Sequence, residues 1–298
     1  MMSEFPDFEI VLPKKVRPSN SRRLWSRVRR RIDRKKIPKI KIPAYPTVDL
    51  TYWRPQSGGV NFGDELSCVI VTLMLARKAR TLIDQAKAAK QLLAVGSVLH
   101  SAKDDAVVWG SGLHGNVPEE NHRYRRLDVR SVRGPITRQF LAARGISAPA
   151  IYGDPALLVK ELAADRFTLT GEHRIGVVPN MFDLPVVRQA PDRFTGLRII
   201  DPMRSWDIVV REILSCELIL ASSLHGLVIA DAFGIPARYL RLSDHEPILK
   251  YEDYFRGTGR RLAPADSIEH AIEMGGHEPC QFDSATLMGA FPYDLWEV

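Results

Sequence analysis

Short runs of Val, Ile and Leu, each passing through a tight turn into a segment of helical period, alternate along this chain from Val48 to Leu242. A strand that reads as a continuous apolar run is buried on both faces, which is the condition of a strand in a parallel sheet. TVDLTYW predicts the first strand near Val48–Trp53. After RPQSGGVNFGD, residues Leu66, Val69, Ile70, Leu73 and Met74 repeat at helical spacing, with Asp64 placed to cap the first turn. QLLAVGS, DAVVWGSG and LDVRSV read as further strands, and PITRQFLAARG as a helix that closes on Gly145. A second series runs through HRIGVVPN, LRII, the helix MRSWDIVVREILS, the strand ELILASS, the helix LHGLVIADAFG and the strand PARYLRL. Strands alternating with helices call for parallel sheets. The pattern predicts an α/β fold of two Rossmann-like, doubly wound domains with a cleft between them: residues 47–165 and 166–298, following an arm at 1–46. The 298 residues suit two cores of roughly 100–150 residues each.

The charge is concentrated in the arm. Lys14 to Lys41 holds 14 basic residues against Asp33 alone, whereas the chain from Ile42 onward is mildly acidic. Leu24, Trp25, Val28 and Ile32 would line one narrow stripe of a helix under a dense cationic face. Such a helix suits an anionic membrane surface, since each Lys or Arg near it contributes roughly 1 kcal/mol that salt screens away. A solubilising tail and attraction to nucleic-acid phosphates are the alternatives. With one aromatic interleaved, no nucleic acid is expected as partner. Cys68, Cys216 and Cys280 form neither a disulfide framework nor a zinc knuckle, so a reducing, cytoplasmic setting and no metal are expected. No window reaches the ~18 apolar residues of a membrane span, and MMSEFPDFEI lacks the basic and apolar regions of a secretion signal. The expected localisation is cytoplasmic, peripheral on the membrane's inner face.

In open α/β sheets, ligands collect just beyond the carboxyl ends of strands. Four such places carry candidate chemistry. GGVNFGDELS offers Gly58, Gly59 and Gly63 for close backbone approach, with Asn61 and Asp64 either as turn and cap residues or as contacts to a sugar hydroxyl, Asp64 also for proton transfer. VVWGSGLHG places Gly110, Ser111 and Gly112 after a strand, as cleft-lining amides and a hydroxyl or as a tight turn beside a surface His114. In SVRGPITRQFL, Arg133 leaves a strand where its planar fork could receive a carboxylate or phosphate, or could form an interdomain salt bridge. ELILASSLHGLVIADAFGIP is the strongest: Ser222, Ser223, Leu224 and His225 stand between a buried strand and the amino end of an apolar helix. Either serine can cap that helix, its free amides can bind phosphate oxygens, and His225 can transfer protons. GDPALL adds Asp154. No nucleophile elbow and no spaced Cys or His pair supports covalent acyl chemistry or tight zinc binding.

In their order, NFGDELS, WGSGL, SVRGPITRQFL, YGDPALLV and SSLHGLVIADAFGIP resemble the polysaccharide pyruvyl transferase family, from about Tyr52 to Leu242. The arm and the tail lie outside the resemblance, and Thr137 stands where many relatives carry serine. The resemblance implies a GT-B-like arrangement of the two domains. It also implies phosphoenolpyruvate as donor, a saccharide hydroxyl pair as acceptor, and a pyruvate ketal and phosphate as products, with no cofactor. By position it makes His225 and Asp64 catalytic. Arg133, Ser222, Ser223, Leu224, Gly110, Ser111 and Gly112 would bind the donor, and Asn61 and Asp154 the acceptor. Acceptors of this kind are repeat units on a polyprenyl diphosphate, which would give the basic arm a membrane to dock on. A glycosyltransferase using a nucleotide sugar and a non-catalytic saccharide-binding protein are the competing readings.

Overall fold

The computed structural model describes residues 45–54 and 59–297. The arm at 14–41 and Gly58 lie outside the described residues. Two four-stranded sheets carry the fold, and every strand pairing in both is parallel. The first has the order β1 (Val48–Thr51), β2 (Lys90–Leu93), β3 (Ala106–Trp109), β4 (Leu127–Ser131). The second has the order β6 (Arg198–Ile199), β5 (His173–Val178), β7 (Cys216–Ala221), β8 (Ala237–Tyr239). All four residues of β3 are buried, as its unbroken apolar run requires. The AIY segment pairs through a single bridge, Tyr152 to Val132.

The helices follow their local sequences. Pro135 opens α2 (Pro135–Ala143), where its missing N–H costs nothing, and Gly145 leaves the helix at a φ of 74°. The helix α6 (Leu224–Phe233) is apolar nearly all round and buried, and Gly234 ends it in the left-handed conformation. The cap of α1 (Phe62–Ala76) differs from expectation: Asn61, not Asp64, is the N-cap, its Oδ1 accepting the Gly63 N–H at 3.1 Å. Asp64 therefore sits inside the first turn with its carboxylate uncommitted to the helix.

One apolar cluster joins the two sheets. It takes Leu92, Val107 and Trp109 from the first, Val178, Ile219 and Ala221 from the second, and between them residues of α1, α3 (Val159–Ala163), α5 (Trp206–Leu214) and α6. These four helices pack on one another and put the amino ends of α1 and α6 side by side. Beyond β8 the chain returns to the first sheet. Its helix α7 (Leu249–Gly257) packs on α2, and the segment after α9 (Ser284–Gly289) reaches α1 and β4. Trp109 Nε1 donates to the carbonyl of Leu287, within α9, at 2.9 Å; in the segment beyond it Tyr293 Oη donates to the Met74 carbonyl at 2.7 Å and Asp294 pairs with Arg130. No described helix is long and apolar enough to cross a membrane.

Candidate active site

Strand order in the second sheet reverses between β5 and β7, so the crevice beyond their carboxyl ends is the place where a doubly wound sheet takes a ligand. Asn180 follows β5 and donates its N–H to Ser222 Oγ, beyond β7, at 3.0 Å, which ties the two strand ends together. A cleft of about 180 Å³ opens here, room for on the order of ten waters. Asn61 and Asp64 of α1, Ser97, His100 and His114 from loops of the first sheet, and Ser223, Leu224 and His225 at the start of α6 line it. Glu246, just ahead of α7, and Lys250, in its first turn, close it, with Trp53 and Phe182 as exposed aromatic walls.

His225 is held from two sides. Gly63 packs against the imidazole so closely that a Cβ there would stand 2.2 Å from Nδ1, which only glycine avoids. On the other side, Nε2 lies 3.6 Å from Asp154 Oδ2. Both of those atoms are buried, and neither has a hydrogen-bond partner of its own. Asp154 has no exposed surface. Its Oδ1 accepts the Ala156 N–H at 3.0 Å, capping the turn Pro155–Leu158 and aiming Oδ2 at the ring. A carboxylate facing Nε2 selects the tautomer with its proton there, leaving Nδ1 to exchange a proton with a bound molecule.

Burial pushes the Asp64 carboxyl up to about 6, with Glu246 adding to the shift and the attraction of His225 and Lys250 opposing it. A carboxyl tuned close to neutrality can take up and return a proton within one turnover. Burial acts on the cations in the opposite sense. The Lys250 ammonium is pushed below its ordinary range against the opposing effect of Glu246, with which it pairs. His114 is pushed down to about 4, mainly by burial and by Lys250, and burial lowers His100 as well. Both of these imidazoles are therefore neutral near pH 7.

The structure divides the residues expected from sequence into two groups. Asn61, Asp64, Ser223, Leu224 and His225 meet in the cleft. Ser223 is the cap of α6, its Oγ accepting the Gly226 N–H at 3.3 Å, while Ser222 turns inward to Asn180. Asp154, an acceptor contact by the resemblance, lies fully buried behind His225, out of reach of a saccharide. Arg133, a donor contact by the resemblance, is wholly buried. Its guanidinium donates to Asp253 Oδ2 at 3.1 Å, to Ser97 Oγ at 2.6 Å and to the Leu113 carbonyl at 2.7 Å. Gly110, Ser111 and Gly112 also stand behind the cleft wall. A Cβ on Gly110 would meet Pro155 at 2.3 Å and one on Gly112 the Arg133 guanidinium at 2.6 Å, while Ser111 Oγ donates to the Gly96 carbonyl at 2.9 Å. His114, weighed as a surface residue, lines the cleft instead. Lys250, Glu246, Asn180, Trp53 and Phe182 also line the cleft and belong to none of the four sequence motifs. Only Glu246 and Lys250 left a signal, their i, i+4 spacing.

The family model described as polysaccharide pyruvyl transferase matches residues 3–244. The chain belongs to the polysaccharide pyruvyl transferase family. Among curated proteins, this family member is 30% identical over 223 residues to the succinoglycan biosynthesis protein ExoV of Rhizobium meliloti (strain 1021), covering 72% of this chain and 66% of that one. It is 24% identical over 173 residues to the uncharacterized protein L143 of Acanthamoeba polyphaga mimivirus, covering 55% and 59% respectively. The matches thus span less than two thirds of the length of each curated relative. A solved structure of a functionally uncharacterized protein from Klebsiella pneumoniae subsp. pneumoniae NTUH-K2044 is similar at a TM-score of 0.47 and 10% identity, covering 74% of this chain and 93% of that one. That likeness is too distant to bear on function.

Proposed function

We propose that this pyruvyl transferase family member moves the pyruvyl group of phosphoenolpyruvate onto a hydroxyl pair of a saccharide, forming a ketal and releasing phosphate. The observation that carries the reading is the meeting, in one cleft, of a carboxylate-backed His225 at the amino end of α6 and an Asp64 tuned to about 6. The donor's methylene carbon must gain a proton before C2 becomes electrophilic, and a phosphate must be held while it leaves. In this account His225 begins the cycle protonated at both nitrogens, its Nε2 proton facing Asp154, and delivers its Nδ1 proton to C3; one acceptor hydroxyl adds to C2 while giving its proton to Asp64. The C2–O bond to phosphate then breaks, and the phosphate takes the proton from Asp64. The second hydroxyl closes the ring at C2 and returns a proton to His225. Of the two hydroxyl protons lost, one replaces the proton delivered to the methyl group and the other leaves on phosphate. The Leu224 and His225 N–H groups at the start of α6, ahead of the Gly226 and Leu227 amides that Ser223 takes, suit the phosphate charge.

The relative's name attaches it to succinoglycan biosynthesis, which supports an exopolysaccharide acceptor here as well. A polyprenyl-diphosphate-linked repeat unit at the inner membrane face, with the basic arm as anchor, completes the proposal, as does a GT-B-like division of the chain near Ala163–His173. The test is to incubate the full chain with phosphoenolpyruvate and a membrane lipid extract. The expected result is phosphate release together with a saccharide mass increase equal to one pyruvate ketal. Release of a nucleoside diphosphate from a nucleotide sugar, with no ketal, would overturn it.

A further inference from the structure

Exposed aromatic side chains are scarce in this fold, and large apolar groups left in water beside a cleft mark what the cleft takes. Among the described Phe, Tyr and Trp residues, Tyr45, Trp53 and Phe182 are the exposed ones. Tyr45 has a structural use, its hydroxyl donating to the Ile83 carbonyl at 3.1 Å. Trp53 and Phe182 are 40% and 48% exposed, and both stand on the wall of the cleft that holds Asp64 and His225. Neither packs into any of the apolar clusters, so the core does not account for them.

The two rings come from different sheets. Trp53 follows β1 and Phe182 follows β5, each beyond the carboxyl end of its strand, where an open α/β sheet takes its ligand. The Phe182 backbone is pinned in place. Asn180 Oδ1 accepts the N–H groups of Phe182 at 2.8 Å and Asp183 at 2.9 Å, and the Asn180 amide donates to Asp183 Oδ2 at 2.6 Å. The same Asn180 is tied to Ser222 beyond β7, so the ring is carried by the switch point of the second sheet. An aromatic side chain on a fixed backbone loses little freedom when it takes up a ligand.

The polar part of the same wall matches hydroxyls. His100 and His114, neutral near pH 7, each carry one N–H and one lone pair, and a hydroxyl can answer both because it accepts and donates. A pyranose combines hydroxyls along its edge with C–H bonds on its faces, and those faces shed water against an exposed ring as other apolar surfaces do. We propose that Trp53 and Phe182 hold the acceptor saccharide by its C–H faces at the mouth of the cleft and turn its hydroxyl pair toward Asp64 and His225. The proposal rests on the transferase reading above, and it supplies acceptor contacts that the buried Asp154 cannot make.

The test is acceptor-dependent phosphate release from phosphoenolpyruvate by the full-length chain, with a membrane lipid extract dispersed in neutral detergent so that no anionic surface is present. Trp53→Ala and Phe182→Ala should each raise the amount of extract needed for half-maximal rate by about tenfold, while the half-saturating phosphoenolpyruvate concentration stays within about threefold of wild type. Trp53→Phe and Phe182→Trp, which keep a ring, should leave both values near those of wild type. Cosedimentation of the alanine variants with anionic liposomes should match that of wild type. An extract requirement that either alanine variant leaves unchanged overturns the two-ring site and spares the transferase reading. A shift that falls on phosphoenolpyruvate instead, or that comes with loss of liposome binding, also overturns the site and assigns the rings to the donor or to the membrane. A wild type that releases no phosphate overturns the transferase reading, and the site with it. Should Trp53→Ala fail to fold, Phe182→Ala decides.

Discussion

Replacing Asp64 by Asn should raise stability and lower turnover, and the size of the stability gain follows from the burial of the carboxyl. An aspartate with an ordinary value near 3.8 in the unfolded chain is held at about 6 in the fold. Below pH 4 both states carry the proton, and Asp64 makes no pH-dependent difference. Between pH 4 and 6 the folded state keeps a proton that the unfolded state releases, so stability drains away as pH rises; above 6 the loss is complete. At about 1.36 kcal/mol per pH unit, the interval corresponds to a loss of about 3 kcal/mol. The Asp64→Asn variant, with no proton to release, would be exempt. The assay is thermal unfolding of wild type and Asp64→Asn from pH 4 to 8. The two curves should lie close together at pH 4 and separate by several degrees at pH 8, with the variant the more stable. Turnover should fall about 10²-fold or more, as loss of a group that transfers a proton does. Parallel curves, or a wild type that gains on the variant as pH rises, would refute the account of Asp64.

Asp154→Asn should keep the fold and its donor affinity yet reduce turnover by about 10²–10⁴-fold, because an amide no longer selects the Nε2–H tautomer of His225; steady-state kinetics checks it. Arg133→Met should cost about 3–5 kcal/mol in denaturant unfolding, since Asp253 is then left buried without its cation. Adding Asp253→Leu should recover part of that loss. Deleting residues 14–41 should abolish salt-sensitive cosedimentation with anionic liposomes and leave phosphoenolpyruvate binding intact. Equal sedimentation of both chains would defeat the membrane reading.

The parallel sheets were readable because buried strands such as AVVW and LILA have no polar face to confuse them with surface structure. The α6 turn was readable because a serine cap, an apolar helix and a closing Gly234 agree locally. What local pattern cannot carry is a partner far along the chain. Arg133 at a strand end looks like an anion receptor until Asp253, 120 residues later, is brought against it. Asp154 before a proline reads as a turn residue, and only the folded chain turns its second oxygen toward His225. The same distance hid Lys250, whose segment shows one i, i+4 pair and no motif. At α1 the ambiguity was local: Asn61 and Asp64 are both capping types, and the asparagine takes the cap.

The central claim is a proton delivered to the donor's C3 followed by ketal formation at C2, and one reaction run in D₂O tests it most directly. With phosphoenolpyruvate and a competent saccharide acceptor, phosphate and ketal should appear in equal amounts, the ketal methyl carrying a single deuterium taken from solvent. A ketal methyl without deuterium would contradict the proton-transfer role given to His225, and phosphate release with no ketal would contradict the transfer itself.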